Sequence, residues 1–376
     1  MNSIFIFSVL IALVVCNNIP LGPTPPMPSE STDIEVSHVY SVPFPEEVAV
    51  DPTGTYFLTG GNDGYLYKVD LETKEKEEIL TPKDFNPAFF AEWDDAVVRQ
   101  YCSGDPQKLT DKEPICGRVL GIKFVGNKKK KVLLANAYFG IFKLTLHRNF
   151  AKLKTVVSKQ GSFINDVVSV GKYIFYTDTH SFKQRNQLPY VVMDLDAPKG
   201  RFYAYNKYTE KTTLLADDLY FANGIALSSD HKKIYISETT GSRIRIFNIK
   251  KMKMLKNFLV SDLPILTDNI IVTKNKKLLV PGYWRHEELD NILKDESQLQ
   301  ELLNGEPSSY LIKFQSWIRP VGTILVVDEE TGEIEQTIFD NTGKFLLVSS
   351  VHQLDNGEFL CGSIMVPKAV RFKLKD

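Results

Sequence analysis

No long apolar run is present in the chain. The uncharged stretch near the N-terminus, Ile4 to Cys16, covers thirteen residues. A membrane-spanning helix needs about 20 apolar residues and a secretory signal core about 7–15. The stretch therefore reads as a signal peptide over residues 1–16, although a basic lead-in is also missing. An uncleaved signal anchor stays open. Charge of one sign is lacking too: 45 Lys and Arg stand against 46 Asp and Glu. No bulk field draws the chain to nucleic acid, so no nucleic-acid partner is expected. The basic run Lys128 to Lys131 reads as a solvated turn. No Asn is followed by x-Ser or x-Thr, which leaves N-glycosylation without an acceptor. Cysteine is scarce, with four in 376 residues. Cys16 leaves with the signal or lies in the anchor, and Cys361 sits in an apolar strand as a small hydrophobe. Cys102 and Cys116 bracket a Pro-, Gly- and Lys-rich loop that a disulfide would staple in a secretory compartment.

What is abundant is apolar–polar alternation interrupted by turns. Phe221 to Thr239 reads F-A-N-G-I-A-L-S-S-D-H-K-K-I-Y-I-S-E-T, two alternating runs about a polar turn. That is a β-hairpin with one buried face. The template recurs at Phe44, Phe163 and Leu266, and more loosely at Leu120 and Ser349. Six hairpins that cannot bury their own faces must stack or close into a ring. The spacing of 44 residues from Gly121 to Asn165, and of 45 from Asn223 to Asp268, suits one four-stranded blade. The expected fold is all-β, a six-bladed β-propeller over residues 38–376 behind a Pro/Ser-rich linker at 17–37. Ala369 to Leu374 has no following partner and is expected to close the ring on His38 to Val42. The single helical periodicity, Trp284 to Leu303, predicts a helical insertion between the fifth and sixth blades.

In a propeller the innermost strands line a central channel, so equivalent residues at their starts converge. The template places Glu46, Gly121, Asn165, Asn223, Asp268 and Ser350 just ahead of those strands. Glu46, Asn165, Asn223, Asp268 and the adjoining Asn269 offer oxygen only. That set suits a hard cation such as Ca2+, whereas Zn2+ favours His or Cys. Read one at a time, each is equally a turn residue. His352, at the start of the sixth inner strand, is a candidate general base. His180 is a weaker one, and Asp268 has the chemistry to serve as both ligand and base.

Several segments carry a family resemblance: C-G-R-V-L-G-I at Cys116, N-A-Y-F-G-I-F-K at Asn136, Y-F-A-N-G-I-A-L-S at Tyr220 and S-E-T-T-G-S-R-I-R at Ser237. With I-N-D at Ile164, D-N-I at Asp268 and V-S-S-V-H-Q at Val348, the chain resembles the strictosidine synthase-like family from about Phe44 to Leu374. The resemblance implies a six-bladed propeller related to calcium-dependent lactonases, paraoxonases and organophosphatases. It implies a catalytic Ca2+ held by Glu46, Asn165, Asn223, Asp268 and Asn269, and a disulfide between Cys102 and Cys116. It also implies hydrolysis of a small-molecule ester or lactone. Strictosidine synthase-type condensation uses a Glu near the sixth inner strand, and Val348 to His352 contains none. A propeller binding module with structural Ca2+ is the competing expectation. The implied setting is the secretory pathway, secreted or luminal, with membrane association through the N-terminal segment or the helical insertion.

Overall fold

The alternating runs form strands, and within each blade the strands pair antiparallel, nearly all with a neighbour in sequence. The computed structural model describes residues 25–103, 111–126, 130–148, 150–158, 163–188, 191, 198–285, 297 and 319–375. Six sheets arise as six blades. Blade one comprises Ala49–Val50, Tyr56–Gly60, Leu66–Asp70 and Lys76–Leu80. Blade two comprises Val119–Phe124, Lys131–Asn136, Gly140–Leu146 and Ala151–Ser158. Blade three runs from Ile164–Val170 through Tyr173–Asp178 and Gly200–Asn206 to Thr212–Leu219. Blade four runs from Ala222–Leu227 through Lys233–Glu238 and Arg243–Asn248 to Lys253–Val260. In blade five the inner strand is split into Ile265–Thr267 and Ile271–Val272, followed by Lys277–Trp284, Gly322–Asp328 and Ile334–Asp340. Blade six holds Ser350–Gln353, Phe359–Gly362 and Lys368–Leu374, and its fourth strand is Ile34–Ser41 from the other end of the chain.

That last pairing closes the ring. Ile34 faces Leu374 and Ser41 faces Lys368. The closing strand begins at Ile34, so the expected boundary at residue 38 moves four residues towards the N-terminus. Closure leaves no blade without a neighbour on either side, which protects the sheet edges.

The apolar side chains form a core between each adjacent pair of blades. Between blades three and four, Phe175 and Phe202 stack at 5.8 Å and Phe247 packs against both. Between blades six and one, Tyr40 packs on Phe57 and its hydroxyl donates to the Leu71 carbonyl at 2.8 Å. Trp284, expected to start a helix, instead ends a strand, because its ring is buried against Phe339 in the core of blade five. The rest of the expected helical stretch lies outside the described residues, apart from Arg285 and a helical Ser297. Residues 1–24, which hold the expected signal, lie outside them as well. Among the described residues no helix is long and apolar enough to cross a membrane.

Between blades one and two the chain makes an excursion with its own small core. Helix Asp95–Cys102 is capped by Asp94, whose side chain accepts from the Val97 N–H at 2.8 Å. Phe90 and Val98 are buried against the Cys102–Cys116 disulfide, whose Cα atoms are 5.9 Å apart. The short helix Glu113–Cys116 follows.

Two outcomes test this packing. Tyr40→Ala removes a buried aromatic from the closing seam and should cost roughly 3–5 kcal/mol, read as a lower midpoint in denaturant unfolding. The double variant Cys102→Ala with Cys116→Ala should lose about 3 kcal/mol, the model-dependent worth of a loop of this length, while its far-ultraviolet circular dichroism stays that of a β protein.

Candidate metal centre

The inner strands carry the expected anchor residues, displaced by a residue or two from where alternation put them. Asn165 and Asn223 are second in their strands, and Asp268 fills the break in blade five. Pairing register slips at both asparagines, between Ile164 and Val167 and between Ala222 and Ile225. Such bulges free residues from the ladder and re-aim their side chains. Two glycines let the bulged segments touch. A Cβ on Gly224 would lie 2.5 Å from the Asn269 Cα, and one on Gly121 would lie 2.6 Å from Asp166 Oδ1. Two residues ahead of Glu46 and of Asn223, Phe44 and Phe221 hold φ of 48° and 54°. Bulky residues rarely adopt such angles, and strained backbone of this kind clusters at functional sites.

Hydroxyl groups then pin the anchors from the preceding blade. Thr177 donates to the Asn223 carbonyl at 2.7 Å and Ser237 to the Asp268 carbonyl at 2.8 Å. Ser349 and Ser350 donate to the Glu46 carbonyl at 2.7 and 2.6 Å. A second set of hydroxyls orients the amides. Asn165 Nδ2 donates to Thr179 Oγ1 at 3.1 Å, and that hydroxyl spends its proton on the Ala222 carbonyl at 2.8 Å. The Thr179 oxygen can therefore only accept, which fixes the nitrogen of Asn165 towards it and leaves Oδ1 facing the channel. Asn223 Nδ2 donates to Thr239 Oγ1 at 2.9 Å in the equivalent place.

The outcome is a set of buried oxygens without hydrogen bonds: Glu46 Oε2, Asn165 Oδ1, Asn223 Oδ1 and Asp268 Oδ1. All four residues line one cavity of about 60 Å3. Buried polar atoms normally have partners, so four orphaned oxygens facing one space call for a ligand. Asn269, whose amide oxygen and nitrogen are likewise orphaned, lines the next cavity down the channel. The upper cavity is further lined by Arg185, Thr239 and Tyr283, and its apolar wall is Phe163, Leu188, Phe221, Leu266, Ile364 and Met365.

The charges are out of balance as they stand. Burial, and then the neighbouring Glu46 carboxylate, push the Asp268 carboxyl well above the usual carboxylate range, although Tyr283 donates to Oδ2 at 2.8 Å. Burial also raises Glu46, against the pull of Arg185 and Arg118. Each guanidinium stands 3.6 Å from Glu46 Oε2. Arg185 is fixed in turn by Glu113, at 2.5 and 2.6 Å, and Glu113 accepts from the Tyr138 hydroxyl at 2.8 Å. The disulfide-stapled excursion thus reaches the axis through Glu113.

The oxygens fit a hard cation. Glu46, Asn165, Asn223 and Asp268 would hold it, with Asn269 below and the apolar mouth left for substrate. Among the described residues no group of three or more His, Cys, Asp and Glu comes together, so a softer N/S site has no candidate. His352 is not brought to this cluster. It lines the lower cavity with Glu47 and Lys123, where burial and the Lys123 charge drive its pKa down to about 4. Its strand runs away from the anchors, towards the turn where Lys274 pairs with Asp355. His180 Nδ1 accepts from the N–H groups of Phe182 and Lys183 at 3.1 and 3.0 Å, holding a turn.

Alternation did not reveal Arg118, Arg185, Glu113, Tyr283, Thr179 or Thr239. For the two threonines a signal existed. T-D-T and S-E-T end the second runs of the two hairpins that begin with Asn, and their carboxylates do equivalent work: Asp178 accepts from Phe163 N–H at 3.0 Å and Glu238 from Tyr220 N–H at 2.7 Å.

Comparison with known proteins places the chain. Strictosidine synthase-like 10 of Arabidopsis thaliana is 28% identical over 356 residues, covering 91% of this chain and 90% of the relative. Adipocyte plasma membrane-associated protein of Mus musculus is 28% identical over 339 residues, covering 86% of this chain and 74% of its own length. Among solved structures, a gluconolactonase from Xanthomonas campestris superposes with a TM-score of 0.55 at 13% identity, covering 95% of this chain and 99% of that one. Regucalcin, a calcium-binding protein from Agrobacterium tumefaciens, does so with a TM-score of 0.55 at 12% identity, covering 92% and 94%. These structures share the propeller fold. The sequence model of the arylesterases matches residues 135–371, and this chain belongs to the arylesterase family.

Proposed function

We propose that the chain is a calcium-dependent hydrolase of esters or lactones, working at the mouth of the propeller channel. The observation that carries this reading is the group of four orphaned oxygens in an apolar-walled cavity. Membership of the arylesterase family and the likeness to a gluconolactonase and a calcium-binding propeller support it. Ca2+ held by Glu46, Asn165, Asn223 and Asp268 would supply a Lewis acid to polarise a substrate carbonyl. The chain's own residues do the rest. Phe163, Phe221, Leu266 and Met365 hold the apolar part of the substrate and exclude bulk water. Asp268 Oδ2 is held by Tyr283, so Oδ1 is the atom turned to the cavity. It takes the proton of the attacking water as the water oxygen bonds to the carbonyl carbon, and returns that proton to the alcohol or ring oxygen as the carbon–oxygen bond breaks. Arg185, clamped by Glu113, offsets part of the cost of burying the Glu46 carboxylate.

The disulfide suits an oxidising compartment, and we place the protein in the secretory pathway on that ground. His352 has no part in the proposed chemistry, because its imidazole faces the lower cavity.

Three outcomes test the proposal. Chelation should lower the melting temperature, and Ca2+ should restore it by mass action. Purified protein should hydrolyse phenyl acetate or a simple lactone only with the metal present, with Asp268→Ala down by a factor on the order of 10^2–10^3. Thr179→Val, which touches no ligand oxygen, should weaken calcium affinity about 10–100-fold through loss of amide orientation. Calcium-dependent stability with no hydrolysis of either substrate would point to the binding module instead. Stability indifferent to chelation would sink the metal reading altogether.

A further inference from the structure

Below the orphaned oxygens the axis carries a second layer. Glu47 follows Glu46 in sequence, and Asp166 follows Asn165. Both carboxylates are buried, and the Lys123 ammonium lies between them. It pairs with Glu47 Oε1 and stands 3.2 Å from Asp166 Oδ1. Backbone donors meet these carboxylates as well: Ile122 N–H on Glu47 Oε2, Val167 N–H on Asp166 Oδ1 at 2.7 Å and Ile225 N–H on Asp166 Oδ2 at 2.8 Å. The layer therefore knits blades one to four together. Lys123 enters from below, where its side chain is 23% exposed and lines a cavity of about 330 Å3 with His352.

The two layers differ in one respect. The upper layer turns Glu46, Asn165, Asn223 and Asp268 to the axis and the lower one Glu47 and Asp166, but only the lower one contains a cation supplied by the chain at contact distance. In the upper layer the guanidinium groups come no nearer than 3.6 Å to Glu46, and the oxygens are left without hydrogen bonds. We infer that Lys123 is a tethered cation, its ammonium filling a place between Glu47 and Asp166 that would otherwise take a divalent metal ion. The chain accordingly binds one Ca2+ on its axis and not two. Two facing carboxylates stripped of the ammonium must protonate or recruit a counter-ion, and the lower cavity gives a hydrated ion its way in. By clamping Glu47 and Asp166, Lys123 is also a positioning residue for Glu46 and Asn165, one bond along the chain from each. The count of one ion rests on the calcium reading of the upper layer; the assignment of Lys123 does not.

Calcium stoichiometry separates the two. Equilibrium dialysis against Ca2+ should give one ion per wild-type chain and two per Lys123→Met chain, with a rise in melting temperature of the variant as the second ion binds. None on the wild type and one on the variant would reject calcium in the upper layer while upholding the tethered cation. Two ions on the wild type, or no gain on the variant, would overturn the inference. If Lys123→Met fails to fold without metal, refolding in Ca2+ should recover it. Failure of that recovery, while the charge-balanced Lys123→Met with Glu47→Gln folds, would overturn the inference too. The double variant should bind the same number of ions as the wild type, and a gain there would count against Lys123 as the occupant.

Discussion

Carboxylates gathered on a propeller axis must be compensated, and the rest of the site follows from how that is done. Glu46, Glu47, Asp166 and Asp268 are all buried within a few residues of the inner strand starts. An isolated ionised carboxylate in such surroundings is too costly to keep. The chain answers with three basic residues of its own. Arg118 and Arg185 flank Glu46, and Lys123 bridges Glu47 and Asp166. Asp268 receives no such partner among the described residues; a tyrosine hydroxyl is its side-chain donor at Oδ2. The shortfall in positive charge and the shortfall in hydrogen bonds coincide at the same cavity.

Rigid placement of that shortfall depends on the ring. Six apolar cores, one per blade interface, fix the blades side by side. The hydroxyl contacts from Thr177, Ser237, Ser349 and Ser350 then transmit that fixity to the carbonyls of the anchor residues. Each anchor is thus held by its own strand and by the blade before it. Anchors held this way need little further ordering on binding a ligand.

The fold was legible in the sequence because hairpin alternation has a short period and repeats. The ring closure was legible because Ala369 to Leu374 lacked a partner, and the strand it finds starts four residues earlier than expected. The anchor residues were legible as oxygen donors at equivalent places. Their exact aim was not, since a bulge at Asn165 or Asn223 alters register without altering the apolar pattern. The position of His352 was not legible for a related reason: being at the start of an inner strand does not say which end of the channel a side chain meets, and Ser350, Val351 and His352 all line the lower cavity. Arg185 and Glu113 sit in connections between strands, where no periodicity speaks for them. Trp284 was drawn into a helical period by the leucines after it, although its burial against Phe339 belongs to the strand.

The hydroxyls that hold Glu46 come from Ser349 and Ser350, 303 and 304 residues further along the chain. During synthesis Glu46 leaves the ribosome 303 residues before the first hydroxyl of its clasp. The same holds for the closing strand Ile34–Ser41, which waits for Lys368–Leu374. The ring and the Glu46 clasp are therefore both completed by the same C-terminal blade. A chain cut before Ser349 would lack the Glu46 clasp and the closing pair of strands together.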